Sequence, residues 1–386
     1  MLSLLGYTNG FSQLINRGAL ITLNDNSLIH VNGDYRHFEG SILNRGKLSL
    51  TGDWDSRGAD VFSTFGINGE GLVDMAGFDQ VIGGTAAMRF EKLSFSGAGV
   101  KRLGTHVSAS ELDLFNAQLA TDRYVFHITD PSPESLKRTK GFISTGEGGL
   151  KREMESSGAY LFPVGNQMLY RPLIITSATG RSDFTVSLNG NVNLMPGYNE
   201  TAIGEKLGYI NKNYYYKIER GRGTDPVQLD VFYSAKDDKD PDNIIKWDPS
   251  VSSGVFLLNI SNQTSDFGDG LDGKLSAPDL KDFTSGYFLL GRARPLPVSL
   301  TIANVFSPNN DGINDKWYIR GIEKYPVNEL KVFNRWGAEI FSKKDMKTTD
   351  GWNGADEVDG TYFYILKVKG ASGNAEVIKG YVTVIR

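Results

Sequence analysis

The stretch from Leu14 to Trp54, LINRGALITLNDNSLIHVNGDYRHFEGSILNRGKLSLTGDW, decides how the chain is read. Its apolar residues come in bursts, Ala19-Leu-Ile-Thr-Leu, Ser27-Leu-Ile-His-Val and Lys47-Leu-Ser-Leu, each of strand length at ~4–6 residues. The bursts are separated by Asn16-Arg-Gly, Asn32-Gly-Asp and Asn44-Arg-Gly. Asn and Gly tolerate positive φ and so serve tight corners. Two pieces recur: Asn16-Arg17-Gly18 returns as Asn44-Arg45-Gly46, 28 residues on, and Gly33-Asp34-Tyr35 returns as Gly52-Asp53-Trp54, 19 residues on. Near-repeats of this kind fit the rungs of a β-solenoid better than a sandwich.

Working outward, Gly71-Leu-Val-Asp-Met, Leu93-Ser-Phe-Ser, Leu112-Asp-Leu-Phe and Val125-Phe-His-Ile continue the pattern, so a solenoid is predicted over 14–150. The string Asp79-Gln-Val-Ile-Gly-Gly, followed by Phe90, Leu93, Leu112 and Leu114, resembles the β-solenoid regions of secreted Bacteroidetes surface proteins. That resemblance implies an extended face for binding polymers or other surfaces. Some such scaffolds host polysaccharide-cleaving sites. The 386 residues include 45 Gly, 13 Pro and no Cys, a balance that suits many turns and excludes disulfides, thiolate metal sites and Cys nucleophiles. No run reaches the ~18 apolar residues of a membrane-spanning helix. A net charge of −4 gives no basic surface for nucleic acid. Residues 1–13, with Leu2, Leu4 and Leu5 followed by small and polar residues, read either as a signal-peptide remnant or as a first strand.

Beyond the solenoid, Asp130-Pro-Ser-Pro-Glu interrupts the strand pattern, because two Pro disfavour a continuous ladder. Seven strand candidates follow in 151–291, among them Tyr160-Leu-Phe-Pro-Val-Gly, Tyr214-Tyr-Tyr-Lys-Ile and Val227-Gln-Leu-Asp-Val-Phe-Tyr. They predict an antiparallel β-sandwich-like module. Phe162-Pro-Val-Gly resembles an element of exported Bacteroidetes proteins in which a sandwich follows a solenoid. Residues 292–298, with Arg294-Pro-Leu-Pro, read as a stiff linker.

Residues 299–386 carry the densest run of motifs. In order they are Asn304-Val-Phe-Ser-Pro-Asn-Asn-Asp-Gly-Ile-Asn-Asp-Lys-Trp, Gly321-Ile-Glu-Lys-Tyr-Pro-Val-Asn, Val332-Phe-Asn-Arg-Trp-Gly, Asp350-Gly-Trp-Asn-Gly, Gly360-Thr-Tyr-Phe-Tyr-Ile-Leu and Lys379-Gly-Tyr-Val-Thr-Val-Ile-Arg. Phe333, Trp336, Tyr362, Phe363, Tyr364 and Tyr381 are interleaved with polar residues, and a core face drawn from them opposite a wet face is expected. The last strand, around Tyr381, Val382 and Val384, either closes the sheet or adds to a partner's edge. With 12 Lys/Arg against 11 Asp/Glu, recognition of this region does not rest on bulk charge.

This run resembles the gliding motility-associated C-terminal domain of Bacteroidetes, the type B sorting domain of the type IX secretion system. Asp356-Glu-Val-Asp-Gly departs from the family, which more often has a Pro before Gly-Thr-Tyr. The resemblance implies an Ig-like β-sandwich in an otherwise all-β chain. It implies export through the type IX translocon, an outer-membrane barrel partner of the family that accompanies type B substrates, and a final location on the cell surface at the exterior of the outer membrane. Asn309, Asp311, Gly312, Asn314, Asp315, Asn334, Trp336, Gly337, Gly380, Tyr381, Val382 and Val384 stand at its motif positions and are the candidate sorting or partner-binding residues.

Asn309, Asp311, Asn314 and Asp315 also set oxygen ligands at a spacing that suits Ca²⁺, against the alternative of an Asx-rich loop bonded to its own backbone. Apart from that Ca²⁺ candidate no cofactor is expected. Asp237-Asp-Lys-Asp-Pro-Asp and Asp266-Phe-Gly-Asp-Gly-Leu-Asp-Gly are looser versions. The four His, at 30, 37, 106 and 127, fall into no ligand or triad spacing. Tyr214, Tyr215 and Tyr216 offer rings for stacking on sugars or for the core. The expectation is therefore a non-enzymatic surface protein with a gliding, adhesion or translocon-associated role and a surface polysaccharide as a further partner. The alternative is a polysaccharide-degrading enzyme on the solenoid, which would need a cleft of converging carboxylates or of Lys/Arg with Asp.

Overall fold

A computed structural model describes residues 12–58, 70–155, 157–177, 180–199, 207–249, 255–258, 260–281, 283, 285–293, 300–325, 327–354, 357–369 and 375–386. The signal-peptide reading of 1–13 and the linker reading of 292–298 fall almost wholly outside these residues. The chain divides into two compact units at Arg292/Ala293, with Glu205–Tyr209 grouped with the second.

The first unit begins as a β-solenoid. One sheet stacks Ser12–Leu23, Gly33–Asn44, Trp54–Ser56, Gln80–Gly84, Val100–Leu103, Gln118–Asp122, Phe142–Thr145 and Val164–Gly165 in parallel. A second stacks Leu28–Val31, Lys47–Leu50, Leu72–Met75, Met88–Ser94, Val107–Asp113, Val125–Ile128 and Gly149–Glu155, also in parallel. The chain passes from one sheet to the other and back within each rung, so the apolar face of each strand meets the other sheet across the coil.

The 19-residue repeat marks adjacent rungs. Tyr35 pairs with Trp54 in register, their ring centroids 4.5 Å apart, and Phe90 packs edge-on to Trp54 at 5.2 Å. The repeated Asp has a ladder role. Asp34 Oδ1 accepts the N–H of Asp53 at 3.0 Å, Asp53 Oδ1 that of Val81 at 2.7 Å, and Asp79 Oδ1 that of Val100 at 2.7 Å. Each carboxylate thus satisfies a corner N–H of the next rung that would otherwise lack a partner. The 28-residue repeat has a different cause. Asn16 braces Ala19 and Asn44 braces Gly46 as local side-chain turns, Asn44 also donating to the Leu72 carbonyl of the next rung at 3.1 Å, and the two Asn are not neighbours in the ladder. The corners are tight enough that a Cβ on Gly97 would lie 1.8 Å from the Gly77 carbonyl oxygen.

The boundary expected at 150/151 does not interrupt the hydrogen bonding. Gly149–Glu155 pairs in parallel with Val125–Ile128 on one side and antiparallel with Arg181–Gly190 on the other. The sheet then runs on through Tyr214–Arg222, Gly286–Ala293, Asn243–Trp247 and Val255–Leu257. A five-stranded antiparallel sheet, Gly158–Phe162, Leu173–Ser177, Val227–Tyr233, Leu271–Leu280 and Ser261–Gly268, completes the sandwich. Val164–Gly165, read from the sequence as part of the sandwich, closes the solenoid sheet against Ile143 and Ser144. One continuous hydrophobic core, from Leu23 to Leu290, serves solenoid and sandwich together. Tyr214, Tyr215 and Tyr216 are all buried in or against it, so none is available to stack on a sugar.

In the second unit a five-stranded sheet runs Val305–Phe306, Ala375–Val384, Gly360–Lys369, Val327–Phe333 and Glu339–Lys344. Only the first pair is parallel. A two-stranded piece, Thr301–Ile302 with Ile319–Arg320, and an isolated bridge between Trp317 and Trp352 lie outside that sheet. This unit has its own core, built on Trp317, Trp352, Tyr362, Tyr364 and Phe306 with Leu330, Leu366, Val382 and Val384.

Candidate functional site

The strands of the second unit alternate strictly, and the alternation divides its motif residues between two faces. Tyr362, Tyr364, Leu366 and Val368 point into the core, as do Leu330, Val332, Val382 and Val384. Val382 and Val384, expected among the partner-binding residues, are therefore packing residues. Gly380 belongs with them: the Tyr364 ring lies over it, and a Cβ there would sit 2.5 Å from the Tyr364 hydroxyl. The aromatic cluster is tied together by polar groups. The main chains of Trp317 and Trp352 exchange hydrogen bonds at 2.8 and 3.1 Å, and Trp317 Nε1 donates to the Ala303 carbonyl at 2.5 Å. Asn328, which no sequence signal marked, is buried and clamps two loops. Its amide donates to the Tyr325 and Met346 carbonyls, and its oxygen accepts the Met346 N–H.

The opposite face carries the residues that packing does not use. Phe333, Phe363 and Tyr381 stand directly opposite one another on three adjacent strands. Phe363 is 52% exposed and Tyr381 53% exposed. Both belong to the set of aromatics from which a core face and a wet face were expected, and they fall on the wet face because each lies one residue out of phase with the inward set. Trp336, from the same set and also a candidate partner-binding residue, is 86% exposed. It sits not on a strand but in the turn joining Val327–Phe333 to Glu339–Lys344. There Asn334 Oδ1 accepts the N–H groups of Trp336 and Ala338, each at 3.0 Å, and Gly337 takes a φ of 82°. Asn334 and Gly337 thus fix the turn that holds the Trp336 ring in solvent. Beside the row, Lys331 bonds Glu339 at 2.8 Å.

Asn309, Asp311 and Asp315 come together in an exposed loop where their side-chain oxygens accept N–H groups of the loop's own backbone, and Asn314 joins through its main-chain carbonyl, which accepts the Ser307 N–H. Asp315 accepts the N–H groups of Asn310 and Gly312 at 2.6 and 2.7 Å, and Asp311 accepts that of Ile313 at 2.7 Å. The Ile313 N–H bond, with the Asn309 amide, holds the Asp311 carboxyl below its usual range. Gly312 supplies a φ of 88°, and Asn310 and Asn314 take 65° and 55°. Among the described residues no three His, Asp or Glu are grouped to hold a metal ion. Of the looser acidic runs, Asp237 and Asp238 bind Arg171, and Asp266 accepts the Gly268 N–H. The His lie apart: His37 is buried against the Tyr35 hydroxyl, His106 accepts the Val125 N–H, and His127 bonds Glu153.

A small antiparallel module with a closed aromatic core and an open aromatic face is a separate accessory domain rather than another rung. Residues 300–384 match the CHU_C type IX secretion signal domain. A search of the curated proteins finds no match to the chain. The signal indicates export by the type IX secretion system, so the protein is handled by that machinery and is secreted and associated with the cell surface.

Proposed function

We propose that the domain over 299–386 docks on the type IX translocon, and then on an outer-membrane barrel partner, through the outward sheet face that carries Phe333, Phe363 and Tyr381 with Trp336 beside it. On this reading the solenoid and sandwich are a non-enzymatic passenger retained at the exterior of the outer membrane, with a role in adhesion or gliding. The observation that carries the docking face is the in-register aromatic row on the side of the sheet that the core leaves free. The hydrophobic core is complete without this row, and Trp and Tyr are among the residue types that dominate protein interfaces. The near-neutral balance of 12 basic and 11 acidic side chains supports recognition by shape and apolar contact rather than by charge.

The test uses the full chain in a host with type IX secretion. Phe363→Ser, Tyr381→Thr and Trp336→Ser are combined, and surface display is measured by protease shaving of intact cells. The expected result is a chain that folds and accumulates but loses most of its display. Normal display of the triple variant defeats the docking face.

The enzymatic reading keeps one supporting observation, the mixed Lys and carboxylate cleft on the solenoid described below. Release of new reducing ends from a polysaccharide by the purified chain would establish it.

A further inference from the structure

The outward face of the second solenoid sheet holds a cleft of about 260 Å³. Two rows of side chains line it, set two residues apart on neighbouring parallel strands. One row is Lys47, Leu72, Lys92 and Glu111; the other is Asp74, Ser94, Asp113 and Lys137. The volume falls just below the roughly 300–1,000 Å³ of sites that enclose drug-sized ligands, which suits a single ring-sized group.

The floor is rigid and already satisfied. Asp74 is 2% exposed. It takes Lys47 Nζ at 2.7 Å, the Ser94 hydroxyl at 2.9 Å and the Ser96 hydroxyl at 2.8 Å, and it also accepts the Ser96 N–H. The rim is different. Glu111 lies 3.6 Å from Lys92 Nζ and 3.9 Å from Lys137 Nζ, and its side chain is 38% exposed. Both distances exceed the ~2.7–2.9 Å of a charge-assisted hydrogen bond. A hydroxyl entering between them can accept from a lysine and donate to the carboxylate, completing bonds that are unmade without it.

One wall is aromatic and held in place. Phe115 is 40% exposed and takes a φ of 44°, a conformation that is uncommon for a bulky side chain. Its surroundings impose that backbone. The Phe115 carbonyl accepts the N–H groups of Thr139, Lys140 and Gly141 at 2.8, 3.0 and 2.7 Å, and its own N–H donates to Asp113 Oδ1 at 2.9 Å. Strain of this kind persists where the surroundings over-determine it, and such positions cluster at ligand sites. The ring is thereby fixed at the cleft without needing a ligand to order it. The charges of Lys47, Lys92 and Lys137 balance those of Asp74, Glu111 and Asp113, so the cleft favours neither an anion nor a cation.

We propose that this cleft binds one sugar ring of a neutral polysaccharide, with the ring against Phe115 and its hydroxyls bridging Glu111, Lys92 and Lys137. The inference does not depend on how the export domain docks, and either can fail alone. The test is affinity electrophoresis of the purified full chain through gels containing soluble xylan, mannan or mixed-linkage β-glucan, with alginate and polygalacturonate as anionic counterparts. Retardation is expected with at least one neutral polymer, unchanged between low and high salt, and weaker with both anionic ones. Phe115→Gly removes the ring while suiting the positive φ, so the variant keeps its fold, and it should reduce the affinity at least tenfold. Glu111→Gln should reduce it about fivefold. Absence of retardation by all three neutral polymers, a preference for the anionic polymers, or retardation that both variants leave unchanged would overturn the proposal.

Discussion

The solenoid and the export domain are both built from strands with alternating apolar and polar residues, yet they treat their outward faces differently. In the solenoid the polar residues largely serve the next rung: Asp34, Asp53 and Asp79 each accept an N–H one rung along. Regularity there is architecture, and the cleft beside Phe115 departs from it. In the export domain the core is complete with Trp317, Trp352, Tyr362 and Tyr364, and a second set of aromatics remains outside. Aromatic motif residues therefore have two meanings in this chain, and burial separates them.

The sharpest way to break that comparison is to remove an inner aromatic. Trp352 packs against Phe306 at 5.4 Å, Tyr362 at 5.5 Å and Trp317 at 6.3 Å between ring centroids. Trp352→Ala should cost about 3–5 kcal/mol, the range for large aromatic truncations. Denaturant unfolding of the full chain should show an earlier transition for the export domain, with the solenoid transition in place. A loss below about 1 kcal/mol would mean that the inner set is not the core. Next in size is Gly97→Ala. The methyl would meet the Gly77 backbone at 1.8 Å, and forced overpacking costs about 1–3 kcal/mol. This loss should appear in the solenoid transition alone. Gly312→Ala is its counterpart in the export domain. Nothing lies within 4 Å of the added methyl, but the φ of 88° remains, so only the left-handed backbone cost of about 1–2 kcal/mol applies.

Acid should act on the solenoid through Asp74. Burial alone would raise its pKa, but hydrogen bonds from Lys47, Ser96 and Ser94 outweigh that and hold it below the usual carboxylate value. The folded state thus binds this proton less readily than the unfolded chain. The stabilisation is present above the ordinary Asp value of ~3.9 and is lost as the pH falls through the lower folded value. Asp74→Asn should melt earlier at pH 6 and lose less on going to pH 2, as read by the melting temperature of the first unit. An equal acid loss in both proteins would mean that Asp74 carries none of it.

Much of the fold was legible because its chemistry is local. Gly33-Asp34-Tyr35 and Gly52-Asp53-Trp54 repeat because each Asp must meet the next corner and each ring must stack on the next. The Asn16/Asn44 repeat does not mark adjacent rungs, because the turn each Asn makes needs only its own neighbours, whatever Asn44 adds by its bond to Leu72. That the sheet runs on through 150/151, with Gly149–Glu155 parallel to one neighbour and antiparallel to the other, was not legible, since a period of two is the same for parallel and antiparallel strands. For the export domain, motif order identified the module but not its faces. Phe363 and Tyr381 were one residue out of phase with the core, and alternation does not apply to a turn residue such as Trp336. The cleft was out of reach altogether: Lys47, Lys92 and Lys137 lie on separate rungs, and only the ladder brings them near Glu111.

The smallest expected stability change belongs to the residue with the largest expected biological one. Trp336 is 86% exposed, and the turn beneath it is held by the Asn334 side chain and the Gly337 backbone, not by the indole. Trp336→Ala should therefore change stability by no more than about 0.5 kcal/mol, as surface substitutions do. Asn334→Ala removes two hydrogen bonds to the turn, and should cost about 1–3 kcal/mol at the net ~0.5–1.5 kcal/mol of each. If exposure at the turn tip serves docking, both variants should lose surface display, Trp336→Ala with an unchanged unfolding transition and Asn334→Ala with an earlier one. Display lost only in Asn334→Ala would assign the motif to folding and leave the Trp336 ring without a docking role.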